Sequence, residues 1–143
     1  GGIPVMADEG VFTLQDAFAL AEARAVDAYC IKLYKIGGIT PAKKIAALAE
    51  AANIQLNCGG LAVQSQLEAA AGAHFYASVP LARMMGAAEF VMGLNAAAKD
   101  PLCPESDFRI IDGHVNVPTG PGLGVTIDEK ALKANTLLCE KVG

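Results

Sequence analysis

At 143 residues the chain has room for one domain with a real core, but falls short of the roughly 200 residues that a complete eight-stranded α/β barrel needs. A net charge of −4 with scattered lysines leaves no basic stripe, which argues against nucleic acid as a partner. Although 53% of the residues are hydrophobic, the apolar runs are short and broken by Gly, Lys or Glu, which argues against a membrane span.

In chain order, short apolar runs alternate with longer amphipathic ones, the rhythm of βα units on a parallel sheet. Residues 3–7 read as a buried strand that stops at Asp8-Glu9-Gly10. Thr13 follows as an N-cap with Asp16 three residues on, and Leu14, Ala17, Phe18, Ala21 and Ala25 then recur at helical spacing. Residues 28–33 form a second strand, ended by Gly37-Gly38. Thr40-Pro41 opens the next helix, with proline in the first turn where its missing N–H is not needed. Ile45, Leu48, Ala49 and Ala52 give that helix its buried stripe. Residues 54–58 make a third strand running into Gly59-Gly60, residues 64–78 a third helix, and residues 87–92 a fourth strand. Beyond residue 108 the rhythm changes. Residues 109–117 resemble a hairpin arm, residues 119–124 are turn-rich, and Asp128 begins a last helix.

This order predicts an α/β fold, with residues 1–108 as half of a (β/α) barrel and residues 109–143 returning to a different layer. A half barrel leaves apolar strand edges open, so an upstream portion of the same protein is expected to complete it. An open parallel sheet, complete in itself, stays as the alternative. Cys30, Cys58, Cys103 and Cys139 lie far apart without a C-x-x-C pair, so free thiols in a reducing cytosol are expected.

Active groups of a parallel barrel lie at the C-terminal ends of its strands. Asp8-Glu9, Lys32 with Lys35, and Asn57 leading to Gly59-Gly60 all fall there. Asp8 reads either as a solvated loop acid or as an oxygen ligand to Mg²⁺ or Mn²⁺, with further ligands supplied from elsewhere. Lys32 is less ordinary, because lysine rarely belongs in a buried strand. Alternation puts it on one face with Cys30 and Ala28. Desolvation and a nearby divalent cation would draw its pKa from ~10 towards neutrality, whereas a strand-edge lysine would simply reach solvent. Lys35 reads as solvated or structural, and in the functional case as a substrate contact. The glycine pair allows a ligand close to the backbone. His74 and His114 read as packing residues. Gly120-Pro121-Gly122-Leu123-Gly124 lacks the strand–turn–helix setting of a dinucleotide loop.

The run Ile3-Pro4-Val5-Met6-Ala7-Asp8-Glu9, followed by Ile31-Lys32-Leu33-Tyr34-Lys35-Ile36-Gly37-Gly38, resembles the enolase superfamily, and within it the muconate lactonising branch. Residues 42–53, Ala73-His74, Asp112-Gly113, Pro118 and Pro121-Gly122-Leu123-Gly124 fit the same pattern. The resemblance implies a modified (β/α)₇β barrel with a capping domain, of which this chain supplies strands five to eight and a tail that returns to the cap. It implies Asp8 as a Mg²⁺ or Mn²⁺ ligand, Glu9 as the acid behind it, and Lys32 as the base that moves a proton next to a carboxylate. It further implies a small carboxylate substrate, a cytoplasmic homo-oligomer, and a fragment inactive by itself. Asn57, Gly59, Gly60 and Glu89 are its candidate substrate contacts. The racemases with a histidine base fit less well, because Asn57-Cys58-Gly59-Gly60 stands at that position. Val63-Gln64-Ser65 stands where many relatives carry an acid, and Ala87-Ala88-Glu89 departs from the dipeptide epimerases, while Glu89 falls near a glutamate of cycloisomerases. Two other functions stay open: a Schiff-base lysine at position 32, and a barrel half without catalysis.

Overall fold

The computed structural model describes residues 2–60, 65–95, 100–104 and 108–140. Its centre is a parallel sheet of three strands, β1 (Met6–Ala7), β2 (Ala28–Ile31) and β3 (Gln55–Cys58), in that spatial order. Met6 pairs with Ala28, and Ala28 through Ile31 pair with Gln55 through Cys58. β2 is buried along its whole length, as the middle strand of a covered parallel sheet should be. β1 is the outer strand of the sheet in this chain: its ladder is two residues long, and Ile3, Val5 and Met6 are 86%, 54% and 42% exposed.

Helices α1 (Leu14–Glu22), α3 (Ile39–Ala51) and α4 (Gln66–Ala77) supply the crossovers. The first starts at the expected cap: Thr13 accepts from the Asp16 N–H, and the Asp16 carboxylate accepts from the Thr13 N–H at 2.9 Å. Ala17, Ala42, Ile45, Ala49, Ala69, Ala70 and Ala73 are buried on the core side of these helices, their small side chains allowing close packing against Tyr29, Ile31 and Leu56. A four-residue helix, α2 (Leu33–Ile36), interrupts the expected second strand at Ile31. It ends where Gly37 adopts φ 94, a left-handed conformation that suits glycine.

The expected strand over residues 87–92 does not form. Extended pairing occurs earlier, where Met84 bridges Leu56 and the Met85 N–H donates to the Leu56 carbonyl at 2.7 Å. Gly86, at φ 73, then turns the chain, and residues Glu89–Asn95 wind as a 3₁₀ helix. Two interactions account for the change. The Asn57 amide donates to the carbonyls of Met85 and Ala87 at 2.9 and 3.0 Å, taking backbone acceptors that a ladder would use. Phe90 is buried against Gly72 of α4, so close that a Cβ there would lie 2.7 Å away.

The tail forms a minimal hairpin of β4 (Ile110–Ile111) and β5 (His114–Val115), turning through Asp112 and Gly113 at φ 48 and 76. It packs on the same core through Val115, Val117, Leu123 and Val125. His74 contacts the Leu123 carbonyl at 3.3 Å, and the Asp128 N–H donates to Leu102 O at 2.8 Å. His114 is exposed, contrary to the packing role expected of it, with Nδ1 2.8 Å from Asp112 O. The last helix, α5 (Glu129–Asn135), buries no residue, and Leu137 and Leu138 after it stand in solvent. Among the described residues no helix is long and apolar enough to cross a membrane.

Candidate active site

Strands running in parallel end together, so β1 and β2 deliver Asp8-Glu9 and Lys32 to the same rim. Lys32 is the first residue past β2 and caps α2, with its side chain 11% exposed. Its ammonium donates to Asp8 Oδ2 and to Glu9 Oε1, each at 2.7 Å. The acids are more open, at 39% for Asp8 and 66% for Glu9.

Lys35, one helical turn on, is buried more deeply, at 3% exposure of its side chain. It donates to Asp8 Oδ1 at 3.1 Å, to the Asp8 backbone carbonyl, and to the Cys30 carbonyl at 3.1 Å. Its ammonium also lies 5.7 Å from the Phe12 ring centre, a cation–π contact. All of its donors are thereby engaged within the protein. Lys35 thus clamps Asp8 by backbone and side chain together, the structural role read as one alternative for it. The i, i+3 spacing of K-x-x-K was a usable signal, since one helical turn puts both ammonium groups on the side of the acid.

Burial pulls the Lys32 ammonium down, but the Asp8 and Glu9 carboxylates outweigh it and hold the group well above the ordinary lysine value. Asp8 shows the counterpart: burial raises its carboxyl, while the Lys32 and Lys35 ammonium groups bring it below the ordinary value. These two carboxylates therefore favour the charged form of Lys32. Below it, burial and then the Asp8 and Glu89 charges push the Cys30 thiol up to about 11. Burial, then the Cys30 and Glu89 charges, push Cys58 up to about 12. Both are inert neutral thiols at physiological pH.

Asn57 is buried at 4% exposure and bonded to Met85, Ala87 and the Cys30 thiol, so it shapes the chain after β3. Gly59 lies beside Lys32 and Cys30, and Gly60 follows it at the rim. Glu89 opens the 3₁₀ helix near enough for its charge to act on both buried thiols. Val63 and Gln64 lie outside the described residues.

The donor chemistry suits part of a hard-cation site. Asp8 and Glu9 offer carboxylate oxygens on an open side, yet among the described residues no three His, Cys, Asp or Glu side chains come together to hold an ion. A complete site needs acids from another segment.

Comparison with known proteins places the chain among solved and curated relatives. Residues 1–131 match the family model described as enolase C-terminal domain-like. A chloromuconate cycloisomerase of Cupriavidus necator is 36% identical over 135 residues, covering 94% of this chain and 35% of that protein. The N-succinyl Arg/Lys racemase of Bacillus cereus superposes with a TM-score of 0.79 at 30% identity, over 96% of this chain and 35% of that one. A mandelate racemase/muconate lactonizing-type protein of Roseovarius nubinhibens, solved in complex with magnesium, gives 0.76 at 29% identity, over 92% and 34%. The chain thus spans about a third of the length of the relatives it matches.

Proposed function

This chain belongs to the enolase C-terminal domain-like family, and on that premise we propose that it is the part of an isomerase that carries the proton-transfer lysine. The whole protein moves a proton on the carbon next to a carboxylate, in cycloisomerase or racemase chemistry on a small carboxylate substrate. The observation that carries this is the convergence of Lys32 on Asp8 and Glu9 at 2.7 Å, at the C-terminal rim of parallel strands. The chain contributes strands five to eight of a (β/α)₇β barrel, and its tail from residue 109 returns to a capping domain. An upstream portion of the same protein supplies the remaining strands and acids, in a cytoplasmic homo-oligomer.

Asp8 is the residue that would hold Mg²⁺ or Mn²⁺, with Glu9 beside it. When bound, the cation supplies positive charge against the negative charge that builds on the substrate carboxylate as its α-proton leaves. Lys35 keeps the Asp8 carboxylate turned to the rim. Lys32 holds and moves the proton at Nζ. In the present arrangement it is the acid form, because both carboxylates favour its proton. It serves as base once those carboxylates are engaged elsewhere, since burial alone lowers an ammonium's proton affinity.

In the full-length protein, Lys32→Ala is expected to cut α-proton exchange into deuterated water by about 10²- to 10⁴-fold. Exchange at the wild-type rate would end this proposal. EDTA is expected to abolish turnover and added Mg²⁺ to restore it.

A further inference from the structure

Gly59 follows β3 and is buried, with its N–H donating to the Ile31 carbonyl at 2.8 Å, so pairing with β2 fixes its backbone. Its φ lies outside the left-handed range, so backbone conformation does not require glycine here. Space does. A Cβ at this position would stand 2.5 Å from Cys30 Sγ, 2.8 Å from Lys32 Cγ and 3.2 Å from Lys32 Cε. The lysine cannot give way freely, because Cγ is near the root of its side chain and Nζ is tied to Asp8 and Glu9. Its stem therefore lies across the bare backbone of residue 59.

We infer that Gly59 is a positioning residue for Lys32: its missing side chain is the slot along which the lysine reaches the rim. The glycine makes room for a side chain of the protein, where the motif alone suggested room for a ligand. This rests on Lys32 being the proton-transfer residue proposed above, and adds what that residue requires from the neighbouring strand.

The test uses the full-length protein with a steady supply of substrate and Mg²⁺. Gly59→Ala is expected to lower kcat by about a hundredfold, the scale of an ångström-sized misplacement, with KM changed no more than a few-fold. Cys30→Ala/Gly59→Ala removes the nearer clash and leaves the one with Lys32, so its kcat is expected to stay about as far below that of Cys30→Ala alone. Recovery of the double variant to the Cys30→Ala level assigns the clash to the thiol and overturns the slot. A double variant that does not fold overturns it too, by assigning Gly59 to packing. Lys32→Ala separates this inference from the function beneath it. Turnover lost in Lys32→Ala but kept in Gly59→Ala overturns the slot alone, whereas turnover kept in Lys32→Ala overturns both.

Discussion

At the C-terminal end of the sheet, Lys32 and Lys35 converge on Asp8 and Glu9 with both ammonium groups nearly out of water. At the N-terminal end, Asp27 accepts from the Val5 N–H at 2.7 Å and Arg83 donates to Asn53 at 3.0 Å, each bond in solvent. The same kinds of side chain do different work. At the first end, two ammonium groups are withdrawn from water and are satisfied by the half-open acids and by backbone carbonyls, so each depends on its neighbours. At the second, single exposed contacts fasten the edge of the sheet, and water can replace them. The contrast separates a site from a seam, although both are polar ends of the same three strands.

Substitutions can break that contrast, and the largest effect belongs to Asp8. In the full-length protein Asp8→Ala is expected to weaken Mg²⁺ binding by more than about 100-fold, beyond what loss of a mere supporting partner costs. Titration of Mg²⁺ by calorimetry measures it, and unchanged affinity removes Asp8 from the ligand set. Lys35→Met comes next. It removes the Lys35 donor from the Cys30 carbonyl and leaves the Asp8 carbonyl only its bond from the Val11 N–H, so a loss on the order of 2 kcal/mol is expected in denaturant unfolding, with a fall in kcat as Asp8 loosens. If kcat holds while stability drops, Lys35 serves folding and not the site.

At the other end, Asp27→Ala is expected to cost about 1 kcal/mol and leave kcat unchanged, since only the tie to Val5 is lost. Arg83→Ala should fall within about 0.5 kcal/mol. A loss of turnover in either variant would blur the distinction between the two ends. Acid provides the mildest probe. Asp8 and Asp16 both have carboxyls lowered from the ordinary 3.8. Their contribution is therefore complete above that value and disappears as pH falls through the folded-state values below it. Melting curves between pH 5 and about 2 should show the loss, and Asp16→Asn should flatten part of it.

Much of this was legible in the residues. Thr13 and Asp16 announce a cap that the structure contains, and the alternation of Cys30 and Lys32 correctly puts both on one face. The acid after β1 and the lysine after β2 do meet, as parallel strands require. Residues 87–92 misled because their apolar composition suits a strand, while what decides is the Asn57 amide, 28 residues before Met85, claiming the carbonyls there. Residues 3–7 do contain a strand, and its burial depends on what lies beside β1, which an apolar pattern alone does not state.

Local sequence alone determined the alternation of the first three strands with α1, α3 and α4, the Thr13 cap, and which polar residues stand at strand ends, because those depend on neighbours a few positions away. Tertiary structure alone decided that Lys35 clamps Asp8, that Lys32 meets Asp8 and Glu9 together, and that the Lys32 stem lies against Gly59. Each of these turns on atoms brought within about 3 Å from distant parts of the chain, where the strength of a charge pair or a steric clash is set by separation and burial. Residue identity carries neither.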